Sequence, residues 1–131
     1  MTTKNRKLLV VDDDPGIRRQ MKWTFDNYDV VTADDREHAI AAFKIHHPAV
    51  VMLDLGLPPD EEGSSEGFGA LKAILKVAPA TRVVIVSGAA SQENRHIAEQ
   101  FGAFEFYPKP IDADELLDIV DRAYEAVPDL N

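Results

Sequence analysis

A chain of 131 residues has the length of one domain with a single core. Its formal net charge of −9 excludes the basic footprint that a nucleic-acid backbone requires, and the absence of cysteine excludes disulfides, thiolate metal sites and thiol nucleophiles. The first residues run into a short strand-like segment rather than a signal sequence, and no run reaches the roughly 18 apolar residues of a membrane span, so a cytoplasmic domain without membrane contact is expected.

Residues 1–6 read as a tail. Leu8 to Val11 is wholly apolar, as a strand buried on both faces must be, and it ends in Asp12, Asp13 and Asp14. Pro15 suits a first helical turn with an Asp as N-cap, and Ile17, Met21, Trp23 and Phe25 among basic residues predict an amphipathic helix over 15–26. Residues 28–33 predict a strand; Asp34 and Asp35 then cap a helix carrying Ala39, Ile40 and Phe43, which ends near His46 and His47. These histidines, with His38 and His96, read as solvated.

Ala49 to Leu53 is a second uninterrupted apolar run. It stops at Asp54, and Gly56, Pro58 and Pro59 turn the chain out of the sheet. Asp60 to Gly67 reads as a polar loop; Phe68, Leu71, Ile74 and Leu75 mark a helix closed by Pro79. Arg82 to Ser87 is a third buried strand, ending in a hydroxyl before Gly88. A helix over 91–101 with a glycine stop at Gly102 follows, then a strand over 104–107 that runs into Pro108, Lys109 and Pro110. The final helix, 112–126, turns Leu116, Leu117, Ile119, Val120 and Tyr124 inward; Pro128 ends it, and 128–131 read as the start of a linker.

Five strands alternating with five helices imply right-handed βαβ units and a parallel sheet covered on both faces. The expected fold is α/β and flavodoxin-like, a (βα)5 three-layer sandwich with strand order 2-1-3-4-5, taken by analogy with that fold group. In such a sheet the carboxyl ends of strands 1, 3, 4 and 5 bring together Asp12, Asp13, Asp54, Ser87, Gly88 and Lys109. Carboxylates packed so closely repel, and need raised pKa values or a cation. Hard oxygen donors without cysteine or a well-placed histidine favour Mg²⁺. A phosphoryl group carried by Asp54 would have its oxygens held by the ion, Ser87, backbone N–H groups and Lys109.

The stretches Leu-Val-Val-Asp12-Asp13, Met-Leu-Asp54-Leu-Gly-Leu-Pro58, Val-Ile-Val-Ser87-Gly88 and Pro108-Lys109-Pro110 resemble, in this order and spacing, the receiver domain of bacterial two-component response regulators. The resemblance covers nearly the whole chain. It implies that Asp54 is phosphorylated by a sensor histidine kinase or phosphotransfer protein, and that Asp12 (through water), Asp13, Asp54 and the Gly56 carbonyl hold Mg²⁺. It further implies that Ser87, Gly88 and Lys109 contact the phosphoryl group, that Ser87 and Phe106 form the switch, and that the bond before Pro110 is cis. Homodimerisation on phosphorylation is implied as well, as is the absence of enzyme activity beyond transfer to and hydrolysis from Asp54. The segment from Phe104 to Asp112 resembles receivers of sigma-54-dependent transcription activators, implying a transcription-activating output domain.

Two departures stand out. The loop between Pro58 and Gly67 is about five residues longer than the family pattern and rich in Asp, Glu and Ser, so it is placed to shield the pocket or meet a partner. The positions two after Asp54 and two after Ser87 are Gly56 and Ala89, which lack side chains to hold an attacking water, so slow loss of phosphate is expected. A dehalogenase-type phosphatase would want a second acid where Gly56 stands. A flavin carrier would not place three acids where phosphate must sit. A pseudo-receiver acting only through binding remains the alternative.

Overall fold

The computed structural model describes residues 6–127, so all but the last residue of the expected tail over 1–6, the stop at Pro128 and the linker at 128–131 lie outside the described residues. Five strands alternate with five helices: β1 (Lys7–Val11), α1 (Pro15–Thr24), β2 (Asp29–Ala33), α2 (Arg36–His46), β3 (Val50–Leu53), α3 (Ser65–Val77), β4 (Arg82–Ser87), α4 (Gln92–Gln100), β5 (Glu105–Pro108) and α5 (Ala113–Glu125). All strand pairs are parallel, in the order β2-β1-β3-β4-β5. The expected fold and strand order are therefore those observed.

The apolar runs conceal an alternation that only the fold reveals. Leu9, Val11, Val51, Leu53, Val83, Ile85 and Phe106 join Phe43, Leu71, Ile74 and Ala98 in the layer beneath α2, α3 and α4. Their neighbours Leu8, Val10, Val50, Met52, Val84 and Val86 face Met21, Leu116, Ile119, Val120 and Ala123 beneath α1 and α5. Because both faces of the central strands are covered, the runs Leu8 to Val11, Val50 to Leu53 and Val83 to Val86 are apolar at every position, which is why sequence alone shows no period of two.

Several boundaries differ from expectation. Helix α1 ends at Thr24 rather than 26; Phe25 is its C-cap and fully buried, while Trp23 is 79% exposed and not on the inner face. Tyr28 precedes β2 and Phe104 precedes β5, although Tyr28 is buried and its hydroxyl donates to Asp121. Helix α3 starts at Ser65, three residues before Phe68, so Gly67 is helical rather than part of the loop. A Cβ on Gly67 would stand 2.3 Å from Leu55 Cα, so the missing side chain lets α3 press onto the chain leaving β3. Three N-caps use their side chains: Asp14 accepts from Gly16 N at 2.8 Å, Asp35 from His38 N at 2.7 Å, and Ser91 from Asn94 N at 3.0 Å, whereas Ser64 and Asp112 make no such bond. Gly102 takes φ +96° after α4, as the expected helix stop requires.

Candidate functional site

Register places the functional side chains. Val11 pairs with Leu53, and Leu53 with Ile85, so β1 and β3 end level with one another. The first residue past each is then an aspartate: Asp54 N donates to Val11 O at 2.9 Å, beside Asp12. Ser87 pairs with Pro108 at the ends of β4 and β5, and Lys109 N donates to Ser87 O at 3.1 Å. Thus Asp12, Asp13, Asp54, Ser87 and Lys109 meet at one edge of the sheet because their strands terminate together. Carboxyl ends of parallel strands are where such folds bind ligands.

The Lys109 ammonium bridges two carboxylates, 2.7 Å from Asp12 Oδ2 and 3.1 Å from Asp54 Oδ2. Asp12, Asp54 and Ser87 are buried, and one carboxylate oxygen from each of Asp12, Asp13 and Asp54 lies within 4.8 Å of the others. The Asp13 carboxyl is held above its usual pKa by burial first, then by the charges of Asp12 and Asp54. Burial opposes the charge on Lys109, but the hydrogen bond and charge of Asp12, with those of Asp54, outweigh it and raise its pKa. Three acids facing one base leave the cluster short of positive charge. That deficit, together with an all-oxygen donor set, fits a hard divalent cation such as Mg²⁺.

The surroundings fix these groups in place. Asp12 Oδ1 accepts from Asp14 N at 3.0 Å, and its carbonyl accepts from Arg18 Nη1 at 2.8 Å. Asp54 Oδ1 accepts from Gly56 N at 3.2 Å, and Ser87 Oγ from Ala89 N at 3.1 Å. Asp13, Asp54, Gly56, Ser87, Gly88, Ala89 and Lys109 line a cleft of about 410 Å³. Behind Asp12, Asp54 and Lys109 lies an apolar cavity of about 280 Å³ bordered by Ile17, Met21, Met52 and Val86. The peptide bond before Pro110 is cis, as expected; that before Pro59 is also cis, which the sequence did not announce.

Phe106 is buried on the α4 side of the sheet, whereas Tyr107 packs on the α5 side. Arg95 of α4 donates to Phe106 O at 3.0 Å, and its guanidinium sits 5.0 Å from the ring centroid. That contact was not foreseen; an arginine on a polar helix carries no sequence signal for it. Glu61 and Glu62 also line the cleft, a placement the sequence suggested only for the loop as a whole. His38, expected to be solvated, is exposed but pairs with Asp34 at 2.6 Å and Asp35 at 3.1 Å; its pKa is raised first by the Asp34 hydrogen bond.

A five-stranded parallel α/β domain with an acidic, lysine-bridged cluster at the carboxyl edge of its sheet is the architecture of signalling receivers. Residues 8–121 match the model of the response regulator receiver domain, and the chain belongs to that family. It is 33% identical over 127 residues to the regulatory protein AtoC of Escherichia coli (strain K12), covering 95% of this chain and 26% of AtoC. Among solved structures, NtrX from Brucella abortus superposes with a TM-score of 0.82 at 32% identity, over 92% of this chain and 28% of NtrX. A CheY-like receiver domain protein from Methanospirillum hungatei JF-1 gives 0.83 at 27% identity, over 92% of this chain and 95% of that one. The chain therefore spans about a quarter of the length of AtoC and NtrX. Among the described residues no helix is long and apolar enough to cross a membrane.

Proposed function

We propose that Asp54 accepts a phosphoryl group from a sensor histidine kinase or phosphotransfer protein, and that the modified domain switches a transcription-activating output. The observation that carries this reading is the Lys109 ammonium placed against Asp12 and Asp54 at the end of a buried parallel sheet, with Asp13 beside them. An Asp54 carboxylate oxygen forms the new P–O bond as the bond from phosphorus to the donor histidine breaks, and the imidazole leaves with the electron pair. Lys109, the Ser87 hydroxyl and the backbone at Gly88 receive the phosphoryl oxygens. Asp12, Asp13, Asp54 and the Gly56 carbonyl would hold Mg²⁺, which supplies charge neutralisation at the phosphoryl group. The domain turns over no separate substrate: its chemistry is confined to loading and unloading Asp54.

Output follows from charge and space. A phosphoryl group on Asp54 draws the Ser87 hydroxyl toward it, and Phe106 repacks against the space released. The surface of α4, β5 and α5 then changes its partner preference, homodimerisation included. Tyr107, Ile111 and the outer face of α4 belong to that surface. The names of the full-length relatives, a regulatory protein and transcriptional regulatory proteins, support an output of that kind. Gly56 has no side chain and Ala89 only a methyl, so neither can orient a hydrolytic water and loss of phosphate is slow.

Acetyl phosphate with Mg²⁺ tests the reading. A mass gain of one phosphoryl group on the wild type, absent from Asp54→Ala, is expected. A wild type that gains nothing, under conditions where a known receiver is labelled, leaves only the binding-module alternative.

A further inference from the structure

The loop after β3 is the sequence feature that the phosphorylation chemistry does not use, and its construction is specific. Asp60 N donates to Leu57 O at 2.9 Å and Gly63 N to Asp60 O at 3.0 Å, closing two consecutive turns. Asp60 itself is spent on the loop, accepting from the Ser65 hydroxyl at 2.7 Å. The Glu61 carbonyl lies so near the backbone of Gly56 that a Cβ there would be 2.4 Å away. No side chain fits between them, so the loop rests directly on the residue two beyond Asp54. Glu66, just beyond the loop, is paired with Arg36 at 3.3 Å.

Glu61 and Glu62 are left over. Both are exposed, both line the cleft with Asp13, Asp54, Ser87 and Lys109, and neither has a basic partner among the described residues. Four acidic residues thus line the cleft against one lysine, an excess of negative charge that a single divalent ion does not cancel. A carboxylate in a surface loop costs little to keep solvated. Placed beside a site that must admit phosphate, it opposes the approach of anions through its field.

We propose that Glu61 and Glu62 select the phosphodonor by charge, slowing small anionic donors relative to a protein donor that shields its phosphoryl group with basic side chains. The proposal rests on Asp54 being the phosphoacceptor. With acetyl phosphate, the bond from phosphorus to the acyl oxygen breaks, the Asp54 oxygen takes the phosphorus, and acetate leaves with the electron pair. With phosphoramidate, the P–N bond breaks and ammonia leaves. The first donor is a dianion near neutral pH and the second predominantly a monoanion, so the two carboxylates slow the first more.

The test compares phosphorylation rates from both donors at saturating Mg²⁺ for the wild type, E61Q/E62Q and D26N/E37Q. The last pair removes the same charge from exposed residues that do not line the cleft. For E61Q/E62Q the acetyl phosphate rate rises about three- to tenfold at low ionic strength, the phosphoramidate rate rises by a smaller factor, and both gains shrink toward unity near ~0.5 M salt. Titration calorimetry of the unphosphorylated protein then gives a Mg²⁺ dissociation constant raised severalfold in the same variant. An unchanged acetyl phosphate rate overturns the proposal, as does a gain equal for both donors, one that survives high salt, or one matched by D26N/E37Q. If the wild type is labelled at Asp54 while E61Q/E62Q behaves identically, donor selection alone fails. If the wild type accepts phosphate from neither donor, the receiver reading fails and takes this inference with it.

Discussion

Replacing Asp13 with asparagine should make the cation-free protein more stable while removing its response to magnesium. One oxygen from each of Asp12, Asp13 and Asp54 lies within 4.8 Å of the others. At that distance two unit charges repel by about 3.5 kcal/mol at an effective dielectric of ~20, and by about 0.9 kcal/mol in water. Asp13 is half-exposed and Lys109 already offsets part of the repulsion, so the lower end applies. The expected gain for Asp13→Asn is therefore about 1 kcal/mol, or roughly 3–5 °C in Tm for a domain of this size. Urea unfolding followed by circular dichroism, in chelator and in Mg²⁺, measures both halves of the prediction. In the wild type, Mg²⁺ at ten times its dissociation constant adds about 1.4 kcal/mol, whereas the variant gains far less because one of its ligands is now neutral. Reasoning from electrostatic crowding is refuted if Asp13→Asn is less stable than the wild type in chelator, or if Mg²⁺ stabilises the two equally.

Other perturbations probe other parts of the molecule. Gly67→Ala forces a Cβ to within 2.3 Å of Leu55 Cα, and should destabilise by about 2–3 kcal/mol despite the better helix propensity of alanine; a denaturation midpoint at or above that of the wild type would contradict the close approach. The Tyr124 hydroxyl donates to the Lys7 carbonyl and is pushed up to about 12, chiefly by burial. Because its pKa is higher folded than unfolded, its contribution is complete below about pH 10 and lost as pH rises toward 12; the stability difference between wild type and Tyr124→Phe should narrow by about 1–2 kcal/mol across that window. Arg95→Ala removes the guanidinium that holds the Phe106 carbonyl and ring. It should leave the labelling rate of Asp54 within about twofold and speed hydrogen exchange at β5 and α4 about tenfold, an effect of one lost charge-assisted hydrogen bond; unchanged exchange would show that Arg95 does not hold β5 to α4.

What the sequence made legible follows from which rules act locally. A strand buried on both faces must be apolar throughout, and a polar residue after it must mark the edge; Asp12, Asp54 and Ser87 announce themselves for that reason. The opposite placement of Trp23 was legible too, since at about 100° per residue it lies across the helix from Ile17 and Met21, but its size argued for the core. The start of α3 was not legible. Two serines and two glycines favour a loop by propensity, and only the contact between Gly67 and Leu55, residues that pack across a turn, makes helix the better choice.

The same distinction separates the acids at this site. Asp12, Asp13 and Asp54 are positioned by strand ends, so their order and spacing along the chain imply their meeting in space. Glu61 and Glu62 are positioned by two turns and by the bare backbone of Gly56, none of which has a period that a sequence could display. Sequence therefore exposes the proposed phosphoacceptor chemistry at Asp54 more readily than the charges proposed to select its donor. The first depends on groups within hydrogen-bond reach of the reacting atoms, which tolerate little displacement. The second acts through a field extending over about 10 Å, which many loop conformations can supply. An acidic loop can consequently change donor preference without altering any of Asp12, Asp13, Asp54, Ser87 or Lys109, and receivers with the same five residues need not share a donor.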